Sequence, residues 1–160
     1  MNNPKVPVSW GELFDKITIL QIKSEKLCSP PAIKNVNTEL HMLSTIIDEK
    51  VPNLSEAKEF EKELKLINQQ LWDIEDQIRE KERKKIFDSE FIHCARMVYI
   101  TNDKRSKIKR SINQVFGSDL MEEKSVTATV VSCSELVKLG NVFRKEWLDA
   151  IVAEEEEPNV

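Results

Sequence analysis

From Phe60 to Ile78 the chain places Phe60, Leu64, Ile67, Leu71, Ile74 and Ile78 at alternating four- and three-residue steps. On a helix that spacing draws one continuous apolar seam, suited to knobs-into-holes packing in the manner of a coiled coil. A seam this long is stable only against neighbours of comparable length, so it demands a bundle and excludes a sheet protein with short connecting helices. Composition agrees, since 32% of residues are charged and only 3 are Gly and 6 Pro among 160. Few breakers and many charges favour long helices with solvated outer faces. At this length the chain can form a substantial core.

The flanking sequence divides into further helices. Ser9 with Glu12 three residues later has the form of a capping box, which starts a first helix over about residues 10–27. Trp10, Leu13, Ile17, Leu20 and Leu27 mark its buried stripe, widened by Phe14. Ser29-Pro30-Pro31 interrupts it. A second helix over about 32–50 follows from Val36, Leu40, Leu43 and Ile47, and Ser55 is the expected cap of the third, over about 56–85. At 1.5 Å per residue the third would be roughly 45 Å long. Asp88 or Ser89 opens a fourth, which Gly117 ends. Its seam begins with Phe91, Ala95 and Val98 and resumes at Ile112 and Phe116, but Asn102, Arg105 and Lys109 stand at the positions between. Two turns of this helix therefore break the apolar pattern.

After Gly117 the character changes. Val126–Val131 is β-branched and reads as a short strand or extended segment; residues 134–139 and 142–152 read as short helices, the latter with Phe143, Trp147 and Ile151 at four-residue steps. The expected organisation is an all-α, elongated bundle of three to four long helices over residues 9–127, a short C-terminal strand/helix addition over 128–152 packed on it, and a disordered acidic tail over 153–160.

Charge is uneven. The whole chain carries −4, which gives no general reason to expect nucleic acid, yet residues 79–110 hold 11 Lys/Arg against 5 Asp/Glu. The run Lys104-Arg105-Ser106-Lys107-Ile108-Lys109-Arg110 lacks the interleaved aromatics that grip single strands. The three cysteines, Cys28, Cys94 and Cys133, form no CxxC pair, and neither His41 nor His93 has a ligand at metal-binding spacing. No metal and no cofactor is expected. The N-terminus shows no apolar signal core and no stretch is apolar enough to span a membrane, so the expected location is cytoplasmic.

Candidate functional residues lie beside the seams. Arg96, Asp103 and Arg110 recur every seven residues on the fourth helix, with Tyr99 one turn before Asp103. Lys16 with Asp15 on the first helix, and Glu75 with Arg79 on the third, flank their own stripes. Packed together, these groups would line a mixed-charge cleft able to hold a small anion, because guanidinium donors form a rigid fork that fits carboxylates and phosphates. Packed against one another, the same charges would be inter-helix salt bridges that set register. P-loop, GxGxxG, GxSxG and HExxH motifs are all missing.

The segments Gly11–Leu20, Leu71–Asp76 and Phe91–Lys124 carry a family resemblance, most clearly in Ala95-Arg96, Asn102–Arg105, Ile108–Arg110 and Glu122–Ser125. Through these, residues 9–127 resemble a small uncharacterised bacterial family of helical proteins, a domain of unknown function whose members are sometimes encoded near genes for surface-polysaccharide sugar transfer. The resemblance implies an accessory role and no defined activity. In architecture alone the chain is also similar to all-helical chorismate mutases, a likeness that would have Arg96 and Arg79 clamp carboxylates and Lys16 stabilise a developing charge. The reading that follows from the residues is a non-catalytic interaction or scaffold protein that forms a homodimer through the third or fourth helix. The competing reading is a small-anion-binding enzyme or sensor.

Overall fold

The computed structural model describes residues 5–51 and 53–123. Four helices occupy nearly all of that span: α1 (Trp10–Lys26), α2 (Pro30–Lys50), α3 (Leu54–Arg83) and α4 (Ser89–Val115). They belong to one unit that ends at Glu122, an all-α bundle drawn out along α3, with no strand among the described residues. The expected strand at Val126–Val131, the two short C-terminal helices and the tail lie outside the described residues.

Helix boundaries follow local chemistry. Ser9 caps α1 by accepting a hydrogen bond from the Glu12 amide at 3.3 Å. α2 starts at Pro30, two residues before the sequence reading, because proline at the first helical positions loses only an amide that would have no partner there. Asn53, not Ser55, caps α3, accepting from the Glu56 amide. α3 and α4 both end with a left-handed residue, Lys85 (φ 55°) and Gly117 (φ 63°). In each case the next amide reaches back five residues, Ile86 to the Lys81 carbonyl and Ser118 to the Asn113 carbonyl, which closes a Schellman motif.

α1 is the hub and packs on α2, α3 and α4, whereas α2 scarcely touches α3. The core joins Leu13, Phe14 and Ile17 of α1 to Ile47 of α2, Ala57 and Leu64 of α3, and Ile108 and Ile112 of α4. Phe116 closes one end, its ring stacked on Phe14 (centroids 5.5 Å apart) and edge-on to Phe60 (6.0 Å). The seam expected on α3 points inward, with Leu64 and Leu71 buried and Phe60, Ile67, Ile74 and Ile78 half-buried. Beyond Leu71 on α3 and before Thr101 on α4, only Cys94 is buried, because α1 is too short to cover the far half of the α3–α4 pair.

The α4 seam needs correction. Ala95 is exposed, and the inward line runs through Cys94, Thr101, Ile108 and Ile112. Lys109 and Ile112 of the expected line are buried as well, so the inward face of α4 is broader than one seam; Arg105 and Lys109 turn to α1, and Arg96, Tyr99 and Arg110 lie outside.

Candidate functional site

The polar break in α4 meets a polar stripe on α1. Asn102, Arg105, Lys109 and Asn113 lie on one side of α4, and Gly11, Glu12, Asp15 and Thr18 on the facing side of α1. Close approach is possible because residue 11 has no side chain: a Cβ there would sit 2.6 Å from the Lys109 carbonyl oxygen. In that space the Gly11 amide donates to Asn113 Oδ1 at 2.6 Å, and the Trp10 amide donates to Ser118 Oγ at 2.8 Å. The end of α4 thus caps the start of α1, and the amides of residues 10–13 all have partners within the chain.

One turn deeper, Asp15 is 3% exposed and accepts from both Nε (2.8 Å) and Nη2 of Arg105. This two-pronged pairing is the arrangement a guanidinium fork favours. Asn68 of α3 donates to the same carboxylate at 2.8 Å and to Thr18 Oγ1 at 2.9 Å, and Thr18 in turn donates to the Asp15 carbonyl. Arg105 Nη1 also reaches Asn102 Oδ1. Next along α4, the nearly buried Lys109 ammonium is shared by Glu12 and by Glu122 at 2.8 Å, the latter from the segment that follows α4. No buried side-chain nitrogen or oxygen among the described residues lacks a partner.

The electrostatics agree with that saturation. The hydrogen bond to Asp15 raises the Arg105 pKa above its ordinary value. Burial pulls the Lys109 pKa down, but its bonds to Glu12 and Glu122 more than offset this, and the result is a raised value. The Lys109 bond lowers the pKa of Glu122. Two cations face three carboxylates, so the cluster is closed and slightly acidic.

Of the sequence-derived candidates, the structure brings only Asp15 into this cluster. Lys16 is exposed and paired with Glu39 at 2.9 Å; Arg79 is exposed and paired with Glu75 and Asp76. Arg96, Tyr99 and Arg110 are exposed on α4 and Asp103 is half-buried. Arg105 and Lys109 stand out in the sequence as the break in the fourth helix's seam, but neither they nor Glu12, Asn68, Asn113 and Glu122 are among the candidate site residues. The interruption at Asn102, Arg105 and Lys109 was the available signal, because charges at seam positions must find partners inside the bundle.

A different feature lies on the outside of α3. An open groove of about 840 Å³ runs along Glu56–Gln69, with Phe60 and Leu66 as its apolar part and Glu25, Glu56, Glu59 and Glu63 among the charges on its rim. Among the described residues, no group of three or more His, Cys, Asp or Glu is arranged to hold a metal ion, and no helix is long and apolar enough to cross a membrane.

The two main stretches that carried the family resemblance, Gly11–Leu20 and Phe91–Lys124, meet at the α1–α4 cluster. In comparison with known proteins, residues 4–141 match a model described as "Family of unknown function (DUF6165)". No curated protein and no solved structure matches the chain.

Proposed function

The chain belongs to this family of unknown function, DUF6165, and from that premise we propose that it is a non-catalytic helical interaction protein that works as a homodimer. One observation carries the reading: the inward charges of the described residues are satisfied by one another, so among these residues the interior offers no unpaired cation to a substrate. What remains unsatisfied is outside, where Leu66, Ile92 and Tyr99 are each more than half exposed on the two longest helices. Apolar side chains on a long helical face suit association with other helices. The setting we infer is cytoplasmic, in an accessory role beside surface-polysaccharide sugar transfer.

Light scattering at about 50 µM protein tests the self-association, since population of a dimer depends on concentration. A mass of twice the chain is expected; a monomer at this concentration refutes the homodimer.

A second reading, a small-anion-binding enzyme or sensor, is favoured by the convergence of Arg105 and Lys109 beside the half-exposed Glu122 carboxylate. An anion would have to displace Glu122 or Glu12. Under this reading Asp15 is at the site, while Arg96, Asp103, Lys16, Tyr99, Arg110, Arg79 and Glu75 act from other faces. A thermal-shift screen against nucleotides, sugar nucleotides and dicarboxylates separates the two. A saturable rise with one class that disappears in Arg105→Met favours the anion site; no shift from any class favours the interaction protein.

A further inference from the structure

α4 has an inner and an outer face. At 100° per residue, the side chains that reach α1 and α3 (Arg105, Lys109 and Cys94) and the buried Thr101, Ile108 and Ile112 lie within an arc of about 100°. On the other side of the helix, Ile92, Arg96, Tyr99, Lys104, Lys107 and Arg110 fall within about 140°, and all six are exposed. Their exposure means that no described helix lies over this face.

The chemistry of the outer face is uneven in a useful way. Lys26, Lys65, Arg79 and Lys81 on the neighbouring helices each hold a carboxylate. Arg96, Lys104 and Lys107 have no ion pair among the described residues. The carboxylate that shares their arc, Asp103, is half-buried. The whole chain carries −4, but charges on remote faces are screened beyond roughly 8–10 Å in physiological salt, about one helix diameter. A flat partner laid on α4 therefore meets the local positive excess. Among the cations stand Ile92 and Tyr99, 56% and 54% exposed. A duplex phosphate backbone would take the cations and leave both of these in water. A lipid surface takes both kinds: headgroup phosphates meet the cations, and the interfacial layer receives the isoleucine, the amphipathic tyrosine ring and the long Lys and Arg stems.

We propose that the outer face of α4 docks this protein on an anionic lipid surface, with Arg96, Lys104 and Lys107 against headgroup phosphates and Ile92 and Tyr99 in the interfacial layer. The proposal goes beyond the self-association reading and does not depend on it, since a homodimer formed through α3, where Leu66 is exposed, leaves this face open. From Ile92 to Lys107 the contact runs roughly 22 Å along the helix. Each Lys or Arg held near an anionic membrane strengthens binding by about fivefold, so the three cations together dominate the attachment and make it sensitive to salt.

The experiment is co-sedimentation of the full chain with vesicles of equal parts phosphatidylcholine and phosphatidylglycerol, against vesicles of phosphatidylcholine alone. It compares the wild type with Lys104→Glu/Lys107→Glu and with Tyr99→Ser; all three positions are exposed, and unchanged melting profiles verify that each variant is folded. The expected result is salt-sensitive binding to the mixed vesicles and little to the neutral ones, weakened at least about tenfold by the double reversal and also reduced by Tyr99→Ser. A wild type that stays in solution beside the mixed vesicles, or binding that survives the double reversal, overturns the proposal. Binding to a DNA duplex as tight as to the mixed vesicles overturns it in favour of a phosphate backbone. A homodimer that the double reversal dissociates, read by light scattering without vesicles, places a second copy on this face and overturns it as well.

Discussion

Replacing Asp15 by Asn keeps the side chain's shape and an oxygen that accepts from Asn68 but removes the charge that Arg105 grips with two donors. Hydrogen bonds to charged groups are worth about 1.5–3 kcal/mol each, and breaking a buried pair costs about 3–5 kcal/mol. Arg105 retains some access to water, with its side chain 27% exposed against 5% for Asp15. The freed guanidinium can therefore partly rehydrate, and about 2–3 kcal/mol is expected for Asp15→Asn. The opposite truncation, Arg105→Met, strands the carboxylate where water cannot reach it and should cost more, about 4 kcal/mol. The double variant should cost less than the sum of the two singles, with a coupling of about 2 kcal/mol. Urea unfolding followed by circular dichroism reads all three, provided the slope is unchanged. A loss below about 0.5 kcal/mol for Asp15→Asn, which is the range of ordinary surface substitutions, refutes the argument that this pair is a buried structural lock. So does a larger loss for Asp15→Asn than for Arg105→Met.

Three more expectations follow from the same cluster and from the helix ends. The pKa of Glu122 is lowered in the folded state, so its contribution to stability is complete above the ordinary glutamate value of about 4.3 and is lost as pH falls through the folded value. The urea midpoint of Glu122→Gln should therefore lie below the wild type at pH 7 and converge on it in acid, and a constant offset at all pH values would contradict the assignment. Gly11→Ala brings a Cβ against the Lys109 backbone, which cannot swing aside, and should cost about 2–3 kcal/mol in thermal unfolding. Lys85→Gly relieves a left-handed backbone at an exposed position and should raise stability by about 0.5–1 kcal/mol, read as a higher melting temperature.

The heptad run on α3, the Ser9 cap and the Gly117 stop are local signals, and they placed all four helices to within two residues, because helix formation and termination depend on spacing, caps and breakers close in sequence. The interruption at Asn102, Arg105 and Lys109 was likewise visible as a departure from that pattern. What it was for was not visible, since its partners stand about 90–110 residues away at Gly11, Glu12 and Asp15, and no local rule couples them. Only the packed structure decided what the inward charges of α4 meet. Arg105 and Lys109 turn to α1, where Asp15 and Glu12 pair them and Glu122 completes the set. The physical reason is that a charge on an inward face is held only where a partner stands opposite it. On this chain the missing side chain at Gly11 and the carboxylates of Glu12 and Asp15 let α1 lie close enough to hold both cations.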